Sequence, residues 1–311
     1  MSKSGIKVFA PASVANVAVG FDILGFALEK PGDEILIRPG QKPGLVISEI
    51  RGAGGRLPYD PLKNTAGYAA LRLLEHLGAS DRPIEMVIHK KMPFGSGLGS
   101  SAASAAGAVY AVSEFLRTGL HKSELLRFAV EGEQIADGAF HADNVAPALL
   151  GGMILIRDNQ TLDFKKLHTP PGLYAAVVYP HIEVLTKDAR SMLSDTVAFD
   201  MAVRQQGNLA AFVAAVYTGD FELMRRSLQD LIVEPQRAGL IPHFYELKEK
   251  ALAYGALGFS ISGAGPSMFA LCDNSLIAEN ILQAARRLYA DRSIGVDTFL
   301  SKINHEGATL F

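Results

Sequence analysis

Three glycines alternate through one short stretch, at Gly95, Gly97 and Gly99, with serines at Ser96, Ser100, Ser101 and Ser104. Glycine lets the backbone take positive φ angles and approach a ligand closely. Serines where a helix begins satisfy its free N–H groups, and those groups together with the helix dipole make an anion site. An alanine-rich run, Ala102 to Val112, follows at once. The stretch from Lys91 through Pro93, Leu98 and Ala102 therefore reads as a phosphate cradle leading into a helix. It is not the Walker loop, because no Gly-Lys-Ser/Thr closes it. It is a poor dinucleotide fingerprint, because Ser100 stands where a third glycine belongs.

Other chemistry-bearing residues lie in sequence on both sides of this loop. Asn16 and Asp22 sit in a small-residue segment between two strand patterns, where Asn16 can equally cap a turn. Asn64 opens a helical stripe, as a cap or as a group reaching a base. Lys90 and Lys91 stand just before the loop, solvated or on phosphate. Glu133 lies near a helix end, eight residues before His141, and Asn144 follows. Around His141 there is neither His-x-x-x-His nor His-x-Glu, which argues against zinc there. Thr186 and Arg190 share a Thr-Lys-Asp-Ala-Arg stretch, and Arg237 closes Glu-Pro-Gln-Arg.

Taken whole, Pro-x-Gly-Ser-Gly-Leu-Gly-Ser-Ser-Ala resembles the phosphate loop of the superfamily of galactokinase, homoserine kinase, mevalonate kinase and phosphomevalonate kinase, the GHMP kinases. The segment Pro-Ala-Ser-x-Ala-Asn-x-x-x-Gly-Phe-Asp-x-Leu-Gly from Pro11 is similar to the N-terminal motif of the homoserine-phosphorylating members. Ser-Gly-Ala-Gly-Pro-Ser, from Ser262 to Ser267, resembles the superfamily's third motif, whose glycines allow a turn against the phosphate loop.

The resemblance implies ATP-dependent phosphorylation of the hydroxyl of L-homoserine to O-phospho-L-homoserine, on the route to threonine. It implies ATP held by Asn64, Lys91, Pro93, Gly95, Ser96, Gly97, Leu98, Gly99, Ser100, Ser101, Ala102 and Ser104. Mg²⁺ would be held by Ser101 and Glu133; magnesium takes few protein oxygens and keeps its waters. The substrate would meet Asn16, Asp22, His141, Asn144, Arg190 and Arg237. Thr186 takes the place of a catalytic aspartate found in mevalonate-type relatives. With no strong base in view, Asn144 or Thr186 would orient the hydroxyl, with Arg190 beside them. The implied fold is α+β in two domains, a left-handed β-α-β ribosomal-protein-like one at 1–165 and a ferredoxin-like one at 166–311. A homodimer is also implied.

The elements that must position these groups follow from periodicity. Strands are expected at Ile6–Ala10, Glu34–Arg38, Leu45–Ile50, Ile84–Lys90, Ala148–Ile156, Leu173–Tyr179, Met268–Cys272 and Val296–Leu300. Helices are expected at Asn64–Leu77, from the loop to Arg117, Lys122–Asp137, Asp195–Tyr217, Phe221–Ile232, Phe244–Gly255 and Leu276–Tyr289. The polar stretch Arg157–Pro171 is the expected domain boundary.

The 311 residues are 49% hydrophobic and 20% charged, which allows a sizeable core. A net charge of −2 gives no reason to expect nucleic acid or an anionic membrane as partner. A single cysteine, Cys272, excludes an internal disulfide and a cysteine metal site. No signal peptide fits the polar start, and no apolar run is long enough for a membrane span. A reducing, cytoplasmic setting is the expectation.

Overall fold

The computed structural model describes residues 5–137 and 140–311. Apolar residues alternate along β2 (Leu24–Pro39) and β4 (Ile84–His89), and the two pair antiparallel with Ile35 opposite Ile88 and Ile37 opposite Met86. β1 (Ile6–Ala15) lies on the other side of β2. β3 (Leu45–Arg51) pairs parallel with β4, and α1 (Thr65–His76) makes the crossover between them. Parallel neighbours need such a crossover.

α2 (Ser100–Leu116) lies across this sheet. Its alanines at 102, 103, 105, 106, 108 and 111 are all buried. A side chain at Gly107 would come within 2.9 Å of Ile35, so the small residues are what let the helix lie this close. α3 (Lys122–Asp137) packs beside α1 and α2.

The apolar run after Asn144 differs from expectation. It forms α4 (Val145–Leu150), then turns through Gly151 and Gly152 at φ 71° and 81°, and only then enters β5 (Met153–Asp158). A run buried on every side carries no period to separate strand from helix, and the glycine pair marks the break. The tight approach expected there is present, with the backbone of residues 305–307 against Gly151.

β6 (Asp163–Leu167) pairs with β5 in the first sheet, so residue 165 lies inside a strand rather than at a boundary. The chain enters the second sheet at β7 (Tyr174–Pro180). α5 (Thr186–Ser191) is a short helix in a stretch to which periodicity assigned neither strand nor helix. α6 (Phe199–Thr218) and α7 (Phe221–Ser227) are both shorter than the sequence pattern suggested. α8 (Glu234–Arg237), α9 (Phe244–Ala253), β8 (Gly258–Ile261), β9 (Met268–Cys272), α10 (Ser275–Ala290) and β10 (Val296–Lys302) complete the second unit. Its antiparallel sheet runs β10-β7-β9-β8, a ferredoxin-like order. β11 (Thr309–Leu310), not foreseen, then pairs back onto β1.

One core runs through the first sheet and its helices and continues into Phe212, Met224, Phe269 and Leu271 of the second unit. A second core, with Phe244, Phe259, Leu282 and Tyr289, lies between the second sheet and α9 and α10. Among the described residues no helix is long and apolar enough to cross a membrane.

Candidate active site

Gly95, Gly97 and Gly99 take φ of 65°, 76° and 66°, values that side chains rarely adopt. Their surroundings differ. A side chain at Gly95 would meet nothing within 4 Å, so this part of the loop is open. At Gly97 it would come within 2.6 Å of the Ser262 carbonyl and 2.7 Å of the Gly265 carbonyl. Ser262 Oγ donates to the Gly97 carbonyl at 2.8 Å, and the Ser267 amide donates to the Ser96 carbonyl at 3.0 Å. The expected packing of the 262–267 turn on the phosphate loop is therefore present. At Gly99 a side chain would come within 2.7 Å of Asn144 Oδ1.

The serines do not cap α2 as their position suggested. Gly99 occupies the cap position with no side-chain bond to the helix, and the first N–H groups are left for an anion. Ser100 Oγ donates instead to Asp33 Oδ2 at 2.9 Å, and Ser104 Oγ does so at 3.3 Å. Asp33 also accepts the amides of Lys91 and Met92, at 2.8 and 3.2 Å. Lys90 Nζ completes this floor, bonded to Asp33, to the Ser100 carbonyl and to Ser104 Oγ. Lys90 is thus structural, neither solvated nor on phosphate. Lys91 Nζ pairs with Glu34, its side chain about half exposed beside the loop.

Asn64 is a cap. Its Oδ1 accepts from the Ala66 and Gly67 amides at 3.1 and 3.2 Å, and its Nδ2 donates to the Pro58 carbonyl. The expectation that it reaches a base is corrected: the side chain is buried and spent on the backbone.

Asn16, His141 and Arg190, expected on the acceptor side, gather around Asp22. Asn16, Val17 and Ala18 take left-handed φ of 70°, 42° and 58°, and Asp22 takes 61°. Non-glycine residues held there are strained, which marks a built site. Asn16 fastens this turn at both ends of its amide, accepting from the Asp22 N–H at 3.0 Å and donating to the Gly263 carbonyl at 2.9 Å. Asn159 Nδ2 holds the Asp22 carbonyl at 3.0 Å. The Asp22 carboxylate receives both arms of Arg190, at 2.9 and 3.1 Å, and His141 Nε2 lies 3.5 Å from it.

Arg237 is only 3% exposed. Its Nε donates to the Ala189 carbonyl at 2.9 Å and Nη1 to the Gly263 carbonyl at 3.3 Å. Nη2 takes no acceptor among the described residues. Burial pushes the pKa of this guanidinium down, as does Arg190, while Asp22 and Asp230 pull it back up. Phe21 is shared by the two arginines, its ring centre 5.4 Å from the Arg190 guanidinium and 5.2 Å from that of Arg237. Asn144 accepts from Ser13 Oγ at 2.8 Å directly behind Gly99. Thr186 is exposed at the start of α5, one helical turn before Arg190.

Ser101, expected to hold the metal with Glu133, is bonded to α1. Ser101 Oγ donates to Thr65 Oγ1 at 3.1 Å. Gly132 packs on the same residue, and a side chain there would come within 2.8 Å of the Thr65 carbonyl. Glu133 is the next residue along α3.

Comparison with known proteins decides the class. The GHMP kinases N terminal domain matches residues 64–152, and the GHMP kinases C terminal domain matches residues 212–291. The chain belongs to the GHMP kinase family. It is 46% identical to the homoserine kinase of Chloroherpeton thalassium, over 97% of this chain and 98% of that one. It is 38% identical to the homoserine kinase of Xylella fastidiosa, over 98% and 93%. The crystal structure of homoserine kinase from Cytophaga hutchinsonii superposes with a TM-score of 0.97 at 49% identity, covering 100% of this chain and 99% of that chain. A mevalonate kinase from L. major shares the fold at TM-score 0.71 and 20% identity, covering 96% of each chain.

GHMP kinases take their phosphoryl group from ATP, and the site fits it: an open glycine at Gly95, and α2 with uncapped N–H groups behind Gly99. The sequence motifs missed Asp33, Phe21, Ser13, Thr65 and Asn159. Asp33 was hidden in Lys-Pro-Gly-Asp-Glu, which reads as an exposed turn. Phe21 lay inside a recognised motif, but nothing in its spacing linked it to the distant Arg190 and Arg237.

Proposed function

We propose that this GHMP kinase transfers the γ-phosphoryl group of ATP to the side-chain hydroxyl of L-homoserine, giving ADP and O-phospho-L-homoserine for threonine synthesis. The observation that carries the substrate is the cluster of Asp22, Arg190 and Arg237 around Phe21, tied to the phosphate loop through Gly263. Two guanidiniums and one carboxylate match the charges of an α-amino acid. The arginine fork suits a carboxylate, and Asp22 suits the ammonium.

Phosphoryl transfer asks the protein chiefly for positioning and charge neutralisation. The loop and the α2 N-terminus hold the triphosphate. Ser101 and Glu133 would hold Mg²⁺, which supplies charge neutralisation when bound; hard oxygen donors of this kind fit it. Asn144, fixed by Ser13 behind Gly99, would orient the hydroxyl, with the exposed Thr186 beside it. No side chain here is arranged as a strong base, so the proton passes to phosphate or solvent. A cytoplasmic homodimer belongs to the same proposal, on the family resemblance.

Arg237→Leu tests the carboxylate reading. It should lower kcat/KM for homoserine by about 2–4 kcal/mol, the cost of leaving a buried charge unpaired. ATP binding should hardly change. The mutant should also lose its preference for homoserine over 3-amino-1-propanol, which lacks the carboxylate. An unchanged ratio of the two substrates contradicts the reading.

A further inference from the structure

The two groups expected to take opposite ends of the substrate are bonded to each other. Arg190 gives both arms to Asp22, at 2.9 and 3.1 Å, in the geometry it would use on a free carboxylate. Resting on the homoserine reading above, we infer that the amino acid binds by ion-pair exchange: its ammonium and carboxylate together split the Asp22–Arg190 pair.

The two partners are unequally held. The Asp22 backbone is clamped by Asn16 and Asn159, and its side chain is 20% exposed. Arg190 is 43% exposed at the side chain and stands on α5, a six-residue helix. Arg237 is buried and pinned by two carbonyls. Arg190 is therefore the part that swings. Phe21 offers its guanidinium a face to stay against, next to Arg237. After exchange the substrate carboxylate meets both arginines, and its ammonium meets Asp22 beside His141.

The exchange has an energetic consequence. A zwitterion gives up one ion pair and makes two. A ligand with an ammonium alone makes one ion pair with Asp22 and breaks the one with Arg190, so its net gain is close to nothing; a ligand with a carboxylate alone gains at Arg237 but must break the same pair to gain at Arg190. The pair thus acts as a filter for molecules carrying both charges. It requires no steric exclusion.

The test uses the full-length enzyme with four acceptors: L-homoserine, 3-amino-1-propanol, 4-hydroxybutyrate and 1-propanol. In the wild type, 3-amino-1-propanol should be used within about twofold of 1-propanol, 4-hydroxybutyrate should gain only what Arg237 gives its carboxylate, and homoserine should stand far above all three. In Asp22→Asn, Arg190 loses its ion pair with residue 22, so kcat/KM for 4-hydroxybutyrate should rise about three- to fivefold, the worth of a partly exposed ion pair. Homoserine use should fall in the same variant. Arg190→Gln should do the mirror thing for 3-amino-1-propanol, and serves if Asp22→Asn does not fold. The exchange is overturned if 3-amino-1-propanol exceeds 1-propanol more than about tenfold in the wild type. It is overturned equally if the variants leave their matched analogue unchanged or worse. A wild-type enzyme that makes no phosphohomoserine overturns the substrate reading itself, and that result is separate from how the analogues rank.

Discussion

Asp33 and Lys90 form an ion pair beneath the phosphate loop, with Asp33 fully buried and the Lys90 side chain only 6% exposed. The carboxylate is shared among the ammonium, two loop amides and two serine hydroxyls, so one residue sets the height of the whole loop. Breaking such a pair from one side leaves a buried charge, at a cost of about 3–5 kcal/mol. Asp33→Leu and Lys90→Met should each lose that much in urea unfolding. The double variant Asp33→Leu with Lys90→Met should lose clearly less than the sum, because neither charge is then stranded. Strict additivity contradicts the account.

The metal assignment predicts a conditional loss. Glu133→Gln keeps size and helix propensity and removes the charge that Mg²⁺ would see. At limiting Mg²⁺, turnover should fall at least about tenfold, while the circular dichroism spectrum stays that of the wild type. Wild-type turnover in Glu133→Gln across a Mg²⁺ titration counts against the assignment.

Glu34 makes stability depend on acid. Burial alone would raise its pKa, but bonds from Lys91, Lys7 and His89 outweigh this and hold it below the usual range. A carboxylate with a lowered folded pKa stabilises the protein above its unfolded pKa, about 4.3, and that stability is lost as pH falls through the lower folded value. Stability should therefore decline below about pH 4.3, and Glu34→Gln should flatten that part of the curve. Unfolding midpoints measured between about pH 3 and 6 for both proteins check this; parallel curves mean Glu34 is not responsible.

Much of the arrangement was legible before any coordinates. The alternation in Ile84–His89, the stripe of α1 and the glycines of the phosphate loop each reflect a local constraint, and local constraints are written in spacing. Gly97 against Ser262 was readable because both lie in recognisable motifs. The long apolar run around Pro147 was not, because burial on all sides erases the periodicity that separates a helix from a strand. β11 was missed because its two residues gain their strand geometry only from β1, at the far end of the chain. Asn16 and Asp22 were picked out, but not that Asn16 is a buckle between the two halves, nor that Asp22 already has Arg190. Such pairings across 168 positions are set by the fold, and no window of sequence contains them.

The most direct test of the central claim is the acceptor itself. The purified enzyme, with ATP and Mg²⁺, is given L-homoserine, mevalonate, shikimate or galactose in turn, ADP is followed, and the products are read by phosphorus NMR. The account predicts acceptor-dependent ADP release with homoserine alone, and a phosphate monoester on its side-chain oxygen. ADP release that is equal without acceptor, or faster with any of the other three, contradicts it.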